Sequence, residues 1–305
     1  MHTRHPTHPA EFGGLDPTGL RERFLVEELF ADGHVRLEYS HNDRMVVGGA
    51  VPAGQALSLP VPDQLRAEHF CDRRELAVVC LSGSGTVAVD DSKHDLSTLD
   101  VLYVGKGAKD VTFDGADARY YLVSAPAHHP HPTALGRRDE VFSASMGEPA
   151  HANVRTIRRY VHADGIVSDQ LVLGITELAE GSVWNTMPCH THERRTEVYL
   201  YFRLAPGERI VHLAGPLRSR SPRPVPTWCC GVIATTWTRR LRRSPGTAGR
   251  SRRWRPTCPT RRPCSVRPNG CWPNTRSRSW STTPESSGGD PLWAWRTATG
   301  ATCSG

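Results

Sequence analysis

No stretch of this chain approaches the length of a membrane-spanning helix, and the opening Met1-His-Thr-Arg-His-Pro-Thr-His-Pro lacks the apolar centre of a secretory signal. A membrane-embedded or exported protein is therefore not expected, and the cytoplasm is the expected location. Disulfides are not expected either. Residues 1–215 hold only Cys71, Cys80 and Cys189, irregularly spaced, which suits a reducing compartment. The cysteines beyond residue 215 lack zinc-ribbon spacing. No Gly-x-x-x-Gly-x-Gly loop occurs, so nothing points to a bound nucleotide.

The sharpest absence is regional. Residues 216–305 contain no Lys, His, Tyr or Phe, yet carry 17 Arg, seven of the eight Trp, half of the 24 Pro and six of the nine Cys. With only Glu285 and Asp290 as acids, this segment has a net charge of +15, against −8 for residues 1–215, which hold 21 Lys+Arg and 29 Asp+Glu. The overall +7 and pI near 9.1 therefore average two unlike pieces. A basic, Pro-rich block suggests a nucleic-acid-binding arm, but such arms mix Lys with Arg and are poor in Trp and Cys. GC-rich DNA translated out of register explains the composition better. Reverse-translated with permissible codons and read from the third base, Ser279–Gly289 becomes Val-Val-Asn-Asn-Ala-Gly-Ile-Ile-Arg-Arg, which resembles the Asn-Asn-Ala-Gly segment of short-chain dehydrogenases. The same shift turns Asn269-Gly-Cys-Trp-Pro-Asn into Arg-Val-Leu-Ala-Glu-His. The expectation is a protein truncated near Gly215 and fused, out of frame, to a neighbouring dehydrogenase gene, with a disordered tail over 216–305.

Before that boundary the pattern is β. Arg44-Met-Val-Val-Gly, Leu76-Ala-Val-Val-Cys-Leu, Gly85-Thr-Val-Ala-Val, Val101-Leu-Tyr-Val and Tyr120-Tyr-Leu-Val predict short strands. Ser82-Gly-Ser-Gly and Asp90-Asp-Ser-Lys predict turns between them, and regular spacing of this kind points to a sandwich or closed barrel. Ala125–Arg138, with His128, His129 and His131 among prolines, predicts a linker; a metal-binding tract is the other reading of its histidines. Strands resume at Thr156-Ile-Arg-Arg-Tyr-Val and Gln170-Leu-Val-Leu-Gly-Ile-Thr and run to about His212-Leu213.

The chemistry is concentrated in Trp184-Asn-Thr-Met-Pro-Cys-His190-Thr-His192-Glu-Arg-Arg-Thr-Glu197-Val-Tyr-Leu-Tyr-Phe202. On a strand, alternate side chains share a face, so His190 and His192 point together while Cys189 and Thr191 point away. Glu197 lies an odd number of residues on, so a turn through Glu193-Arg194-Arg195 must bring it back. Two imidazoles and a carboxylate converging on one point suit zinc or another borderline divalent ion. The alternative is a surface strand with two solvated histidines.

His-x-His-x4-Glu, after Gly181 and before Gly207, is similar to the first metal motif of cupins. The fuller wording, Trp184 to Arg195 and then Glu197-Val-Tyr, resembles the 5-keto-4-deoxyuronate isomerase family of bicupin enzymes. Further blocks in the family's order extend the resemblance over about residues 1–215. They are Gly19-Leu-Arg-Glu-Arg-Phe-Leu-Val-Glu-Glu, Tyr39-Ser-His-Asn-Asp-Arg-Met-Val-Val-Gly-Gly, Arg73-Arg-Glu-Leu-Ala-Val-Val, Asp100-Val-Leu-Tyr-Val-Gly-Lys-Gly-Ala-Lys, Ser124-Ala-Pro-Ala-His and Leu173-Gly-Ile-Thr-Glu-Leu-Ala. The resemblance implies an all-β fold of tandem cupin barrels. An N-terminal segment (1–23) would precede a metal-free barrel (24–125), a linker (126–154), an incomplete metal-binding barrel (155–215) and the out-of-frame tail (216–305).

By the same resemblance, His190, His192 and Glu197 are zinc ligands. The family's fourth ligand is a histidine in a later strand, and no histidine follows His212, which does not sit where the family places that ligand. The implied reaction is aldose–ketose isomerisation of a 4-deoxy-5-keto uronate to 3-deoxy-2,5-diketo-gluconate in pectin breakdown, by a homo-oligomer (a hexamer) without nucleic-acid or membrane partners. The loss of C-terminal strands implies impaired activity and exposed apolar faces. Arg73, Arg74, Lys106, Arg194 and Arg195 are candidate cations for the substrate carboxylate. Glu193 is near the metal in sequence, but no residue stands out as the general base. Two other readings remain: an iron-dependent cupin oxygenase on the same ligands, and a sugar-sensing cupin with a basic nucleic-acid-binding tail.

Overall fold

The structure is a computed structural model that describes residues 1–185, 196–204, 208 and 210–212, together with the backbone of one strand at 231–234. The first half contains β1 (His2–Arg4), α1 (Pro9–Phe12), α2 (Pro17–Phe24), β2 (Leu25–Val26), β3 (His34–Ser40), β4 (Val46–Val51) and β5 (Leu57–Ser58). It continues with β6 (Arg74–Ser82), β7 (Ser84–Val89), β8 (Ser92–Ser97), β9 (Val101–Val104), β10 (Val111–Phe113) and β11 (Arg119–Pro126). After it come β12 (Ala134–Gly136), β13 (Ser143–Met146), β14 (Arg155–Val161), β15 (Leu173–Leu178), β16 (Glu197–Leu200) and β17 (Gly231–Ala234). The protein is all-β, with the expected strands up to β15 in place; the strands expected to run to about His212-Leu213 stop instead at Leu200, and residues 201–204 and 210–212 are not strand. No helix among the described residues is long and apolar enough to cross a membrane.

Two sheets build the first half, a seven-stranded one in the order β1-β3-β4-β11-β6-β9-β12 and a four-stranded one in the order β5-β10-β7-β8. Apart from the parallel β1–β3 pair, their ladders are antiparallel. The chain leaves one sheet for the other at Gly83. Its φ of +70° and the 2.4 Å that a Cβ would have to the Asp117 carbonyl oxygen both require glycine. Leu76, Val78 and Cys80 of β6 face the four-stranded sheet and meet Val87, Val89, Leu96, Val111 and Phe113 in one core. Their neighbours Ala77, Val79 and Leu81 face the other way, joining Tyr103, Tyr121 and Val123 in a second core with Tyr160, Val161, Leu171 and Ile175. A strand buried on both faces is apolar throughout rather than alternating, which is why β6 appears in the sequence as an unbroken run.

The segment expected to be a linker is partly structured. Ala134–Gly136 adds β12 to the edge of the seven-stranded sheet beside β9, and Ser143–Met146 pairs with β14. Pro and His govern only the stretch before residue 134. There the chain runs so close to Gly105 that a Cβ would lie 1.7 Å from the His131 carbonyl oxygen. The entry helix α2 follows ordinary capping chemistry, with Asp16 Oδ1 accepting from the Gly19 amide at 2.7 Å and Pro17 at the first turn.

In the second half, β13-β14-β15 form one antiparallel sheet, and β16-β17-β2 form a parallel one. Strand β17 departs from the expectation that the Arg-rich segment supplies no strand. Gly231-Val-Ile-Ala is a short run with two β-branched residues, and it lies between β16 and β2. The expected disorder of the rest of 216–305 lies outside the described residues. Among the described residues, the large apolar side chains left exposed all lie beyond residue 140, including Val172, Val183 and Val211. The first barrel seals its core; the second half leaves apolar surface open.

Candidate metal centre

Strand β16 carries the only proposed metal ligand among the described residues. Its alternation puts Glu197 and Tyr199 on one face, continued by Tyr201, while Val198, Leu200 and Phe202 turn the opposite way into the second core. The apolar face anchors the strand and the polar face presents the chemistry. Tyr199 donates its hydroxyl to Glu197 Oε2 at 2.5 Å. The Tyr199 and Tyr201 rings lie nearly parallel, with centroids 6.4 Å apart, and His212 packs edge-on against both, at 5.1 and 6.0 Å.

Burial lowers the His212 pKa, and the Glu197 charge pulls it back only in part. Burial raises that of the Tyr201 phenol. The His212 Nδ1 and the Tyr201 hydroxyl are hydrogen-bonded at 2.8 Å. Sequence reasoning set His212 aside because it lies in the wrong block to be the missing ligand. The structure brings it to the Glu197 face all the same, held by aromatic rings.

His190 and His192, with Glu193, Arg194 and Arg195, lie outside the described residues. The chain on either side of them is tied down: Trp184 Nε1 donates to the His151 carbonyl at 2.9 Å, and the Thr196 amide donates to Asp43 Oδ2 at 2.9 Å. Among the described residues no cluster of three or more His, Cys, Asp or Glu is placed to hold a metal. A carboxylate beside an imidazole and two phenols is nevertheless a set of hard and borderline donors of the kind a divalent ion accepts.

The other candidates are occupied elsewhere. Arg73 is exposed and donates to the Arg66 carbonyl, and Lys106 Nζ donates to the His128 carbonyl at 3.0 Å. Arg74 is buried; it donates to Ser124 Oγ and the Ser124 carbonyl at 3.0 Å each and to the Arg44 carbonyl at 2.6 Å. Desolvation lowers its pKa to about 10. Of the linker histidines, His129 pairs through Nδ1 with Asp169 at 2.9 Å, and the His128 amide donates to the same carboxylate at 2.8 Å. That supports a connector rather than a metal tract.

Sequence reasoning missed the most heavily bonded carboxylate, Glu75. It is completely buried in β6 and accepts from the Tyr103 hydroxyl at 2.6 Å and from the amides of Asp169, Gln170 and Leu171 at 2.8, 2.7 and 2.5 Å. An acid inside the apolar run Arg74-Glu-Leu-Ala-Val-Val was the available signal, because such a group persists only where donors meet it.

Antiparallel sheets packed over a sealed core place the protein in the all-β class. The chain belongs to the KduI/IolB family, whose profile matches residues 24–214. It is 48% identical over 222 residues to the 4-deoxy-L-threo-5-hexosulose-uronate ketol-isomerase of Kineococcus radiotolerans, covering 70% of this chain and 80% of that one. The protein of the same name from Lachnoclostridium phytofermentans is 38% identical over 253 residues, covering 78% and 92%. The one from Escherichia coli is 44% identical over 221 residues, covering 70% and 80%. Among solved structures, an IolB-like protein from Salmonella typhimurium aligns over 40% of this chain and 46% of its own at 19% identity, with a TM-score of 0.32. A cupin protein from Bacteroides fragilis aligns over 29% and 70% at 18% identity, with a TM-score of 0.20.

Proposed function

We propose that this chain is built as a ketol-isomerase that converts a 4-deoxy-5-keto uronate to 3-deoxy-2,5-diketo-gluconate in pectin and uronate breakdown. The observation that carries the reading is the KduI/IolB match across residues 24–214, which contains the His190-x-His192-x4-Glu197 motif. Aldose–ketose interconversion removes a proton beside a carbonyl and returns one a carbon along. A divalent ion, zinc in this reading, supplies Lewis-acid polarisation of that carbonyl when bound. His190, His192 and Glu197 are its ligands, with Glu197 presented by β16 and backed by Tyr199. Assembly as a homo-oligomer and a cytoplasmic location belong to the same reading.

Residues 216–305 are read as an out-of-frame extension. The composition break at residue 215 and the end of the family match at residue 214 support this. The expected consequence is weak turnover, because a late-strand ligand histidine has no counterpart after His212. The test is to incubate zinc-loaded full-length chain with the 5-keto uronate and follow the diketo product, with Glu197→Gln alongside. Slow conversion abolished by the substitution supports the proposal. No conversion together with oxygen consumption on iron loading points instead to an oxygenase, and salt-dependent DNA binding points to a sensor with a basic arm.

A further inference from the structure

Tyr199 has no part in the metal motif, yet its hydroxyl bonds the motif's carboxylate at 2.5 Å. Resting on the metal reading above, we propose that Tyr199 is a positioning residue: it fixes the orientation of Glu197 for metal binding, and the Tyr201–His212 pair holds Tyr199 in place. Residues two apart on a strand share a face, so the Tyr199 ring stands beside Glu197 without any turn of the backbone. A carboxylate on the half-buried face of β16 rotates about three side-chain bonds. A hydroxyl donated to Oε2 selects one orientation and gives the other oxygen a defined direction.

The tyrosine in turn packs against two further rings. Tyr201 stacks parallel to it, with 13° between the ring planes, and His212 contacts it edge-on at 62°. The 2.8 Å hydrogen bond between the Tyr201 hydroxyl and Nδ1 orients that imidazole. Tyr201 and His212 thus form a bracket around Tyr199, and only Tyr199 reaches the carboxylate among these three rings. Outer groups of this kind typically govern metal affinity by roughly 10- to 100-fold when removed.

The test titrates full-length protein with zinc against a chromogenic chelator, for wild type, Tyr199→Phe, Tyr201→Phe, Glu197→Gln and the Glu197→Gln/Tyr199→Phe double variant. Tyr199→Phe keeps the ring and its stacking and removes only the hydroxyl. The expected result is zinc affinity lowered about 10-fold or more in Tyr199→Phe and less than about 3-fold in Tyr201→Phe. Metal-free melting temperatures are expected to remain unchanged. In the Glu197→Gln background, losing the Tyr199 hydroxyl is expected to have no further effect. Wild-type affinity in Tyr199→Phe overturns the proposal, as does an additive loss in the double variant. A lowered metal-free melting temperature with unchanged zinc affinity assigns the hydroxyl to folding and also overturns it. Absence of zinc binding by the wild type defeats the metal reading itself, an outcome distinct from a wild type that binds while Tyr199→Phe binds equally.

Discussion

Replacing Glu75 with alanine is expected to cost more stability than any other single substitution considered for the first barrel. The side chain joins the two halves: β6 presents it, Tyr103 of β9 donates to it from beside, and the amides of residues 169–171 donate from the second half. Truncation leaves four donors without their acceptor. Two of them, the Tyr103 hydroxyl and the Leu171 amide, sit in fully buried bonds that water does not readily replace. At about 1–3 kcal/mol for each stranded donor, the expected loss is about 2–6 kcal/mol. For a domain of this size that corresponds to a drop in Tm of roughly 5–20 °C.

Glu75→Gln keeps one acceptor oxygen and turns an NH2 toward donors. Tyr103 can rotate its hydroxyl to accept, whereas the Asp169 amide cannot, so the expected loss is about 1.5–3 kcal/mol. Tyr103→Phe removes a single donor and is expected to be milder still. The order Glu75→Ala, Glu75→Gln, Tyr103→Phe is read by thermal unfolding. Hydrogen exchange is expected to quicken selectively at the amides of residues 169–171. A Glu75→Ala protein melting within about 2 °C of wild type, with unchanged exchange at those amides, refutes the reasoning.

Three further outcomes follow from the same structure. Asp169 is held below the usual carboxylate range, first by the His128 amide and then by the His129 ring. Its folded pKa is depressed, so its contribution is complete above about pH 4 and is lost as pH falls toward the folded value; Asp169→Asn is expected to flatten melting temperature against pH below about pH 4, and an unchanged acid limb contradicts this. Burial pushes the Cys71 and Cys80 thiols up to about 12, so peptide mapping after maleimide labelling at pH 8 should find both unmodified until the protein is unfolded, and rapid native labelling of either contradicts the packing. Gly105→Ala forces a Cβ against the His131 carbonyl and is expected to cost at least about 2 kcal/mol by displacing the chain before β12, measurable by denaturant unfolding; a neutral result removes that close approach.

The first barrel was legible because its signals are local. Apolar runs such as Leu76–Leu81 and Val101–Val104 state their own strand character, and the glycines of Ser82-Gly-Ser-Gly mark the switch between sheets. The pairing of strands distant in sequence, as in β4 with β11, is not local and was not readable. Nor was the role of Ala134–Gly136, since a three-residue edge strand has no period to detect. For the proposed metal centre, the spacing of His190, His192 and Glu197 is the signal the sequence carries. The partnership of Tyr199 with Glu197 is implicit in strand alternation and went unread, because aromatics in a strand ordinarily signal packing. His212 required tertiary structure, being 15 residues beyond Glu197.

The most direct test of the central claim is turnover of 4-deoxy-5-keto uronate by purified full-length protein, with bound metal quantified in the same sample. The account predicts the diketo-gluconate product at a reduced rate, zinc bound below saturation, and less of both product and zinc in Glu197→Gln. Turnover that persists undiminished in Glu197→Gln, or in metal-stripped protein, contradicts it.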